Sequence, residues 1–417
     1  MFDRVIIKNI SSLFSMRIGS YIIPLITLPY LVRTLGVEGY GYLGFSFAIM
    51  QYMILAVNYG FDLSATSEIA KSKGDKYAIS KVFWNVSIIR VVTALSCFPL
   101  IIIASAVFET IDKITPILFA CYVSVISTAL FPQWLFQGKE QLGVISTVRV
   151  VLQFFTIPLL FIFVKNSNNI WQAALINGIP IVGVAFIGLI LINKRRWICW
   201  TRPTWVSLKS QYKEGFHIFI STASISLYTT SVVIILGAMS GAVSVGYFTA
   251  ADRLIKAVLG LYGTISNAFY PRVNSVVIES KVKAIILIRK LAKLLFFTAT
   301  VSSVLLFLLS EYIVKILFGA EFVVTSELLK ILAWLPMIIC LSNIFGVQVL
   351  IPFGYKKDFS RILIYSGIAS LLFLIPLIYN FDEYGAATSI IITELVVTLL
   401  MWLTVKNKKL LRVNNEI

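Results

Sequence analysis

Three ionisable residues stand close together inside an apolar stretch: Asp252, Arg253 and Lys256, within residues 246–272 (GYFTAADRLIKAVLGLYGTISNAFYPR). At helical spacing Thr249, Asp252, Lys256, Gly260, Gly263 and Asn267 share one stripe, with Arg253 beside it. Leu254, Val258, Leu261, Ile265 and Phe269 form the opposite face, suited to lipid or apolar helix neighbours. The stretch is long enough to cross a bilayer, where each charge costs roughly 2.5–3.5 kcal/mol. A guanidinium and an ammonium on a stripe with two glycines therefore predict a hydrated cavity rather than contact with lipid. An ion pair between Asp252 and one cation is the competing structural role.

Other polar residues lie in apolar surroundings too. Arg90 is about eight residues, ~12 Å, into its run, with Ser87 on the same face. A cavity role competes there with snorkelling to the headgroups. Arg17 sits nearer a membrane edge, where anchoring competes more strongly. Gln51, Asn58, Gln133 and Trp134 are placed to meet ligand hydroxyls, or to bridge helices. Glu394 stands alone in its run and is costly if ionised. With Asp252 and Asp62 it is a candidate for exchanging a proton or binding Na⁺; a protonated acid bonded to a neighbouring helix is the alternative. Asp62, with Ser64 and Glu68, also suits the start of a short helix. Pro24 and Pro29 leave backbone carbonyls unpaired and permit a hinge, or a static kink.

The elements that carry these residues follow from composition. The chain has 417 residues, 59% of them hydrophobic and 13% charged, and a mean hydropathy of +0.91. Continuous apolar runs of spanning length recur throughout, which predicts an all-α polytopic membrane protein and excludes the alternating pattern of a membrane barrel. The four cysteines show no metal-ligand or disulfide spacing, and the single histidine, His217, cannot build a metal or catalytic cluster. No metal and no cofactor are expected. The first apolar run reaches full spanning length and carries two prolines, unlike a cleavable signal. There is no Gly-x-x-x-x-Gly-Lys-Ser/Thr loop for ATP.

About twelve spans are predicted, at 13–33, 41–61, 82–107, 114–136, 142–164, 171–193, 214–237, 246–271, 290–312, 326–352, 359–379 and 385–405. A net charge of +17 raises nucleic acid as a partner, but its placement argues otherwise. About 28 basic residues fall on one side of the spans and only Arg33, Lys113, Lys165 and Lys315 on the other, which puts both termini in the cytoplasm. The longest polar break, 193–213, is basic and rich in Trp and is expected to lie along the cytoplasmic interface. It divides the chain into an N-terminal six-helix lobe (1–193), a linker (194–213) and a C-terminal six-helix lobe (214–417). The lobes look related. Leu35-Gly36 through Tyr40-Gly41 parallels Leu236-Gly237 followed by Val245-Gly246-Tyr247-Phe248, and Phe136-Gln137-Gly138-Lys139-Glu140 parallels Pro352-Phe353-Gly354-Tyr355-Lys356-Lys357. Six spans per half give a parallel repeat, with a central cavity expected between the lobes.

Residues 22–31 (IIPLITLPYL), 35–41 (LGVEGYG) and 58–70 (NYGFDLSATSEIA), with Gly246-Tyr247-Phe248 and Ala250-Ala251-Asp252-Arg253 further on, carry a resemblance. The chain resembles the bacterial polysaccharide-exporter family, and within it the O-antigen (Wzx-type) flippases of the multidrug/oligosaccharidyl-lipid/polysaccharide (MOP) superfamily. The resemblance implies two six-helix lobes around a cationic cavity in the bacterial inner membrane. It implies passage of an undecaprenyl-pyrophosphate-linked oligosaccharide from the cytoplasmic to the periplasmic leaflet by alternating access, with membrane lipids, a polysaccharide polymerase and a chain-length regulator as partners. For such cargo Arg253, Lys256, Arg90 and Arg17 are the candidates for the pyrophosphate, because Arg offers bidentate contacts and Lys a point charge. Gln51, Asn58, Gln133 and Trp134 are the glycan candidates. A proton or Na⁺ gradient would then act through Asp252, Glu394 or Asp62.

Two other classes compete. An ion-coupled multidrug exporter of the same superfamily calls for acidic and aromatic cavity residues, whereas the stripe here is net basic. A membrane-embedded glycosyltransferase or polymerase calls for a sizeable outer loop or a pair of acids, and neither stands out.

Overall fold

A computed structural model describes the backbone of residues 4–72 and 74–411 and the side chains of residues 23–72 and 74–411. In chain order the helices are α1 (Arg4–Asn58), α2 (Phe61–Lys71), α3 (Lys76–Val107), α4 (Glu109–Asp112), α5 (Thr115–Leu130), α6 (Gln133–Gly138), α7 (Leu142–Phe163) and α8 (Ile170–Lys194). They continue as α9 (Trp205–Thr229), α10 (Ser231–Glu279), α11 (Lys281–Leu317), α12 (Val323–Leu332), α13 (Leu335–Asn343), a π-helical segment (Ile344–Leu350) and α14 (Lys356–Asn407). No strand occurs among the described residues. The all-α polytopic class expected from hydropathy is the observed one.

Nine helical stretches among the described residues are long and apolar enough to cross a membrane. Three of them pass through a residue outside helical geometry: Gly36 in α1, Gly241 in α10 and Asp382 in α14. Each lies in a connection that hydropathy placed between two spans. Gly36 (φ 69°, ψ 178°) and Gly241 (φ 83°, ψ −175°) share one conformation, which a Cβ would oppose. Each also stands five residues before a Gly-Tyr pair, Gly41-Tyr42 and Gly246-Tyr247. The counterpart of Gly36 is therefore Gly241, and the expected match with Gly237 is corrected. Pro24 and Pro29 lie inside α1 without interrupting it; the bend is at Gly36.

The described residues group into two compact units, one within 30–226 and the other formed by 4–29 with 227–411. The core of the first gathers Phe61, Phe83, Phe131, Trp134, Phe136 and Val184. That of the second gathers Phe269, Val273, Leu291, Val349, Leu350 and Met401. Outside these cores the helices turn large apolar side chains outward, and only 17% of the apolar window of α7 is buried. A surface of that kind needs hydrocarbon around it.

The basic linker is shorter than expected, because α9 already begins at Trp205. What remains, and the first turns of α9, are held against α2 and α3. Cys199 N–H donates to Ser80 Oγ (2.8 Å) and Trp84 Nε1 donates to the Cys199 carbonyl (3.0 Å). Ser207 Oγ donates to Asn85 Oδ1 (3.0 Å) and Gln211 Nε2 to Glu68 Oε2 (2.7 Å). Trp200 and Trp205 are exposed, as an interfacial segment requires.

Where α9 meets the α1–α2 junction, two glycines let the backbones touch. Gly60 has φ +81°, and a Cβ there would stand 2.7 Å from Ile218 Cβ and 2.8 Å from the Gly215 carbonyl. One on Gly215 would stand 2.7 Å from the Tyr59 carbonyl. Gly60→Ala combines left-handed strain of roughly 1–2 kcal/mol with overpacking of about 1–3 kcal/mol. It is expected to lower the thermal unfolding temperature of the purified protein markedly, whereas Gly143→Ala, which meets nothing within 4 Å, should leave it unchanged.

Candidate functional site

The first unit gathers two of the predicted site residues, Asn58 and Asp62, around a third, Arg90. Asp75 caps α3 by accepting from Tyr77 N and Ala78 N, so Arg90 falls deep within that helix, beside the end of α5. Its Nη2 donates to Asn58 Oδ1 (2.6 Å) and to the Thr128 carbonyl (2.8 Å), and its Nη1 donates to the Phe131 carbonyl (3.3 Å). Asp62 Oδ1 stands 3.7 Å from Nη1. The carbonyls of a helix C-terminus lack partners within the helix and lie at the negative end of its dipole, so a guanidinium there satisfies both needs. Arg90 is only 2% exposed.

This arrangement corrects several expectations. Arg90 is committed to α5 and the α1–α2 junction and does not face an incoming anion. The Asn58 oxygen is occupied by Arg90. Asp62 serves as its counter-ion and lies in the first turn of α2, the helix start that the sequence allowed. Trp134 is fully buried in the core and cannot touch a glycan. Gln133 is half-buried, and Gln51 is exposed on α1. Arg17 lies outside the residues whose side chains are described.

In the second unit, α10 presents the basic face. Lys256 Nζ pairs with Asp252 Oδ2 at 2.6 Å, one helical turn apart, with the lysine side chain 55% exposed and the aspartate 14%. Arg253 and Asn267 are exposed, and a side chain on Gly263 would meet nothing within 4 Å. The expected stripe is thus open at Lys256 and Asn267, part-covered at Asp252, and closed in two places. Thr249 is buried with its hydroxyl donated to the Val245 carbonyl (2.7 Å), and Gly260 is buried. On the opposite face Leu254 and Phe269 are buried as apolar packing requires, while Leu261 is exposed. Lys256 lies about 22 Å along the axis from Gly241 at 1.5 Å per residue, which is membrane depth for a ~30 Å hydrocarbon core.

Glu394 is 8% exposed on α14 and makes no hydrogen bond or ion pair among the described residues. Tyr228 is its electrostatic neighbour. A further polar knot was not foreseen. Gln348 Nε2 donates to the Ser266 carbonyl (2.9 Å) and to Ser266 Oγ (2.8 Å), and Ser266 donates to Asn343 Oδ1. Asn343 and Gln348, two amides in an otherwise apolar run, were the available signal; the π-helical register that turns Gln348 inward was not. No group of three or more His, Cys, Asp or Glu able to hold a metal occurs among the described residues.

The two arginines should therefore respond differently to truncation. Arg90→Ala leaves Asp62 and two helix-end carbonyls without their cation, a loss on the order of 3–5 kcal/mol for a broken buried pair. It should sharply reduce folded protein in membranes and lower the unfolding temperature. Arg253→Ala, on the exposed face, should change neither by more than a fraction of that amount.

A family model described as polysaccharide biosynthesis protein matches residues 6–277. A protein of Escherichia coli (strain K12) named "Putative O-antigen transporter" is 37% identical over 404 residues, 97% of either chain. One of the same name from Shigella dysenteriae is 31% identical over 406 residues, covering 96% of this chain and 100% of that one. Among solved structures, an inward-facing multidrug resistance MATE family transporter of the MOP superfamily matches with a TM-score of 0.78 at 16% identity, over 93% of this chain and 95% of that one. The lipid II flippase MurJ, in an inward closed conformation, matches with a TM-score of 0.73 at 14% identity, over 96% and 89%. Identities this low speak for the fold alone. The chain shares its fold with these two structures, and it belongs to the polysaccharide biosynthesis protein family, as its N-terminal residues implied.

Proposed function

We propose that this protein is a flippase, not an enzyme, and that it carries an undecaprenyl-pyrophosphate-linked O-antigen or related repeat unit from the cytoplasmic to the periplasmic leaflet. The carrying observation is the exposed basic face of α10 at membrane depth. Against acyl chains such a face would be costly; against water and a pyrophosphate it is favourable. The names of the sequence relatives support this cargo class.

The chemistry follows from the side chains. Arg253 offers a bidentate fork to one phosphate. Lys256 exchanges its Asp252 partner for the other, so the substrate breaks an ion pair as it binds. That exchange supplies a differential interaction of the kind alternating access requires. Gln51 is the remaining candidate for glycan hydroxyls, and the polyprenyl tail stays in lipid. Two six-helix lobes with both termini in the cytoplasm agree with the basic bias of one side. The boundary between the packed units falls at Pro29, which favours a hinge in that part of α1.

Arg253→Ala is expected to lower flipping of a defined lipid-linked glycan in reconstituted vesicles about ten- to hundred-fold, the value of a charge-assisted contact, with unchanged protein level. Surface polysaccharide in cells should fall in parallel. Full flipping by the variant would remove Arg253 from the site. For coupling, Glu394→Gln is isosteric and should keep the protein folded while making flipping insensitive to an imposed proton or Na⁺ gradient. A variant that still follows the gradient would exclude Glu394.

A further inference from the structure

A groove of about 710 Å³ opens on the first unit between α3, the end of α5 and the end of α8. Its volume is in the ~300–1,000 Å³ range that holds one organic ligand. The walls are apolar along most of their length, with Phe83, Ile88, Val91 and Leu130 among them. Two cations line one end, Lys76 at the start of α3 and Arg196 just past the end of α8. Both are exposed, and neither has an ion-pair partner among the described residues. The nearest carboxylate in sequence, Asp75, is committed to capping α3.

We infer that this groove binds one anionic glycerophospholipid of the leaflet in which Lys76 and Arg196 lie. Its phosphodiester would sit between the two cations and one acyl chain would run along the apolar wall. Two features favour this occupant. Lys76 and Val92, both in the lining, are about 24 Å apart along α3 at 1.5 Å per residue, enough for an acyl chain crossing the ~15 Å half-thickness of the hydrocarbon but short for a long isoprenoid. Ser87 and Asn193, also in the lining, make no side-chain hydrogen bond among the described residues, unlike Ser80, Thr93 and Ser96 of the same α3. They are available to the headgroup and glycerol esters. The site lies wholly within the first unit and does not depend on the cargo assigned to α10.

The test is native mass spectrometry of the purified full-length protein titrated with phosphatidylglycerol and phosphatidylcholine of identical acyl chains. The protein should prefer phosphatidylglycerol. Lys76→Ala/Arg196→Ala should weaken that lipid about thirty-fold, as the loss of two surface cations predicts, and leave phosphatidylcholine unchanged. Ile88→Trp, which fills the groove, should remove the first-bound lipid of either kind; Lys281→Ala/Lys283→Ala, at another helix start, should have no effect. Equal affinity for the two lipids would overturn the inference, as would a double variant that binds phosphatidylglycerol normally. Undecaprenyl phosphate displacing phosphatidylglycerol at lower concentration would overturn it in favour of a carrier-lipid site. If Ile88→Trp does not fold, the exposed cation pair alone decides.

Discussion

A cation carried to the middle of a bilayer must find an anion, a carbonyl or water, and most of this structure can be understood from how it meets that demand. Arg90 meets it internally: a carboxylate, an amide oxygen and two carbonyls from the end of α5 surround one guanidinium. Lys256 meets it only in part, through a single carboxylate on its own helix, with more than half its side chain still open. The difference separates a cation that holds helices together from one that can exchange partners. Chemistry that moves an anion needs the second kind.

Backbone geometry imposes a parallel constraint. Hydrocarbon offers no hydrogen bonds, so chain reversals are confined to a few residues. Gly36 and Gly241 make theirs in the same conformation, at the same distance from a Gly-Tyr pair. A close backbone approach is made at Gly60 and Gly215, where the α1–α2 junction and α9 meet. The Arg90 cluster begins two residues away from Gly60, at Asn58 and Asp62. The motif NYGFD is thus one physical unit: a glycine contact flanked by the ligands of a buried arginine.

Much of the fold was legible because hydropathy acts over twenty residues at a time, and the connections it marked at 36, 241 and 382 are where helical geometry fails. The family, too, was legible from short local motifs. The roles of individual polar residues were not. Arg90 and Arg253 are both arginines inside apolar runs, and sequence alone did not separate their roles. What makes Arg90 structural is that carbonyls from about forty residues away reach its guanidinium. Trp134 near the end of a predicted span looked like a ligand platform; packing against Phe83 put it in the core. Gln348 turned inward through a π-helical register that no periodicity announces.

The passage of the chain between its two packed units has a consequence for modularity. The first helix crosses from one unit to the other at Pro29, and α9, which opens the second half of the sequence, crosses back after Ser226. Most of α9 thus groups with the helices before it in the chain rather than with those after it. A chain cut ahead of α9 would therefore deprive the first unit of the segment that meets Glu68 and Tyr59.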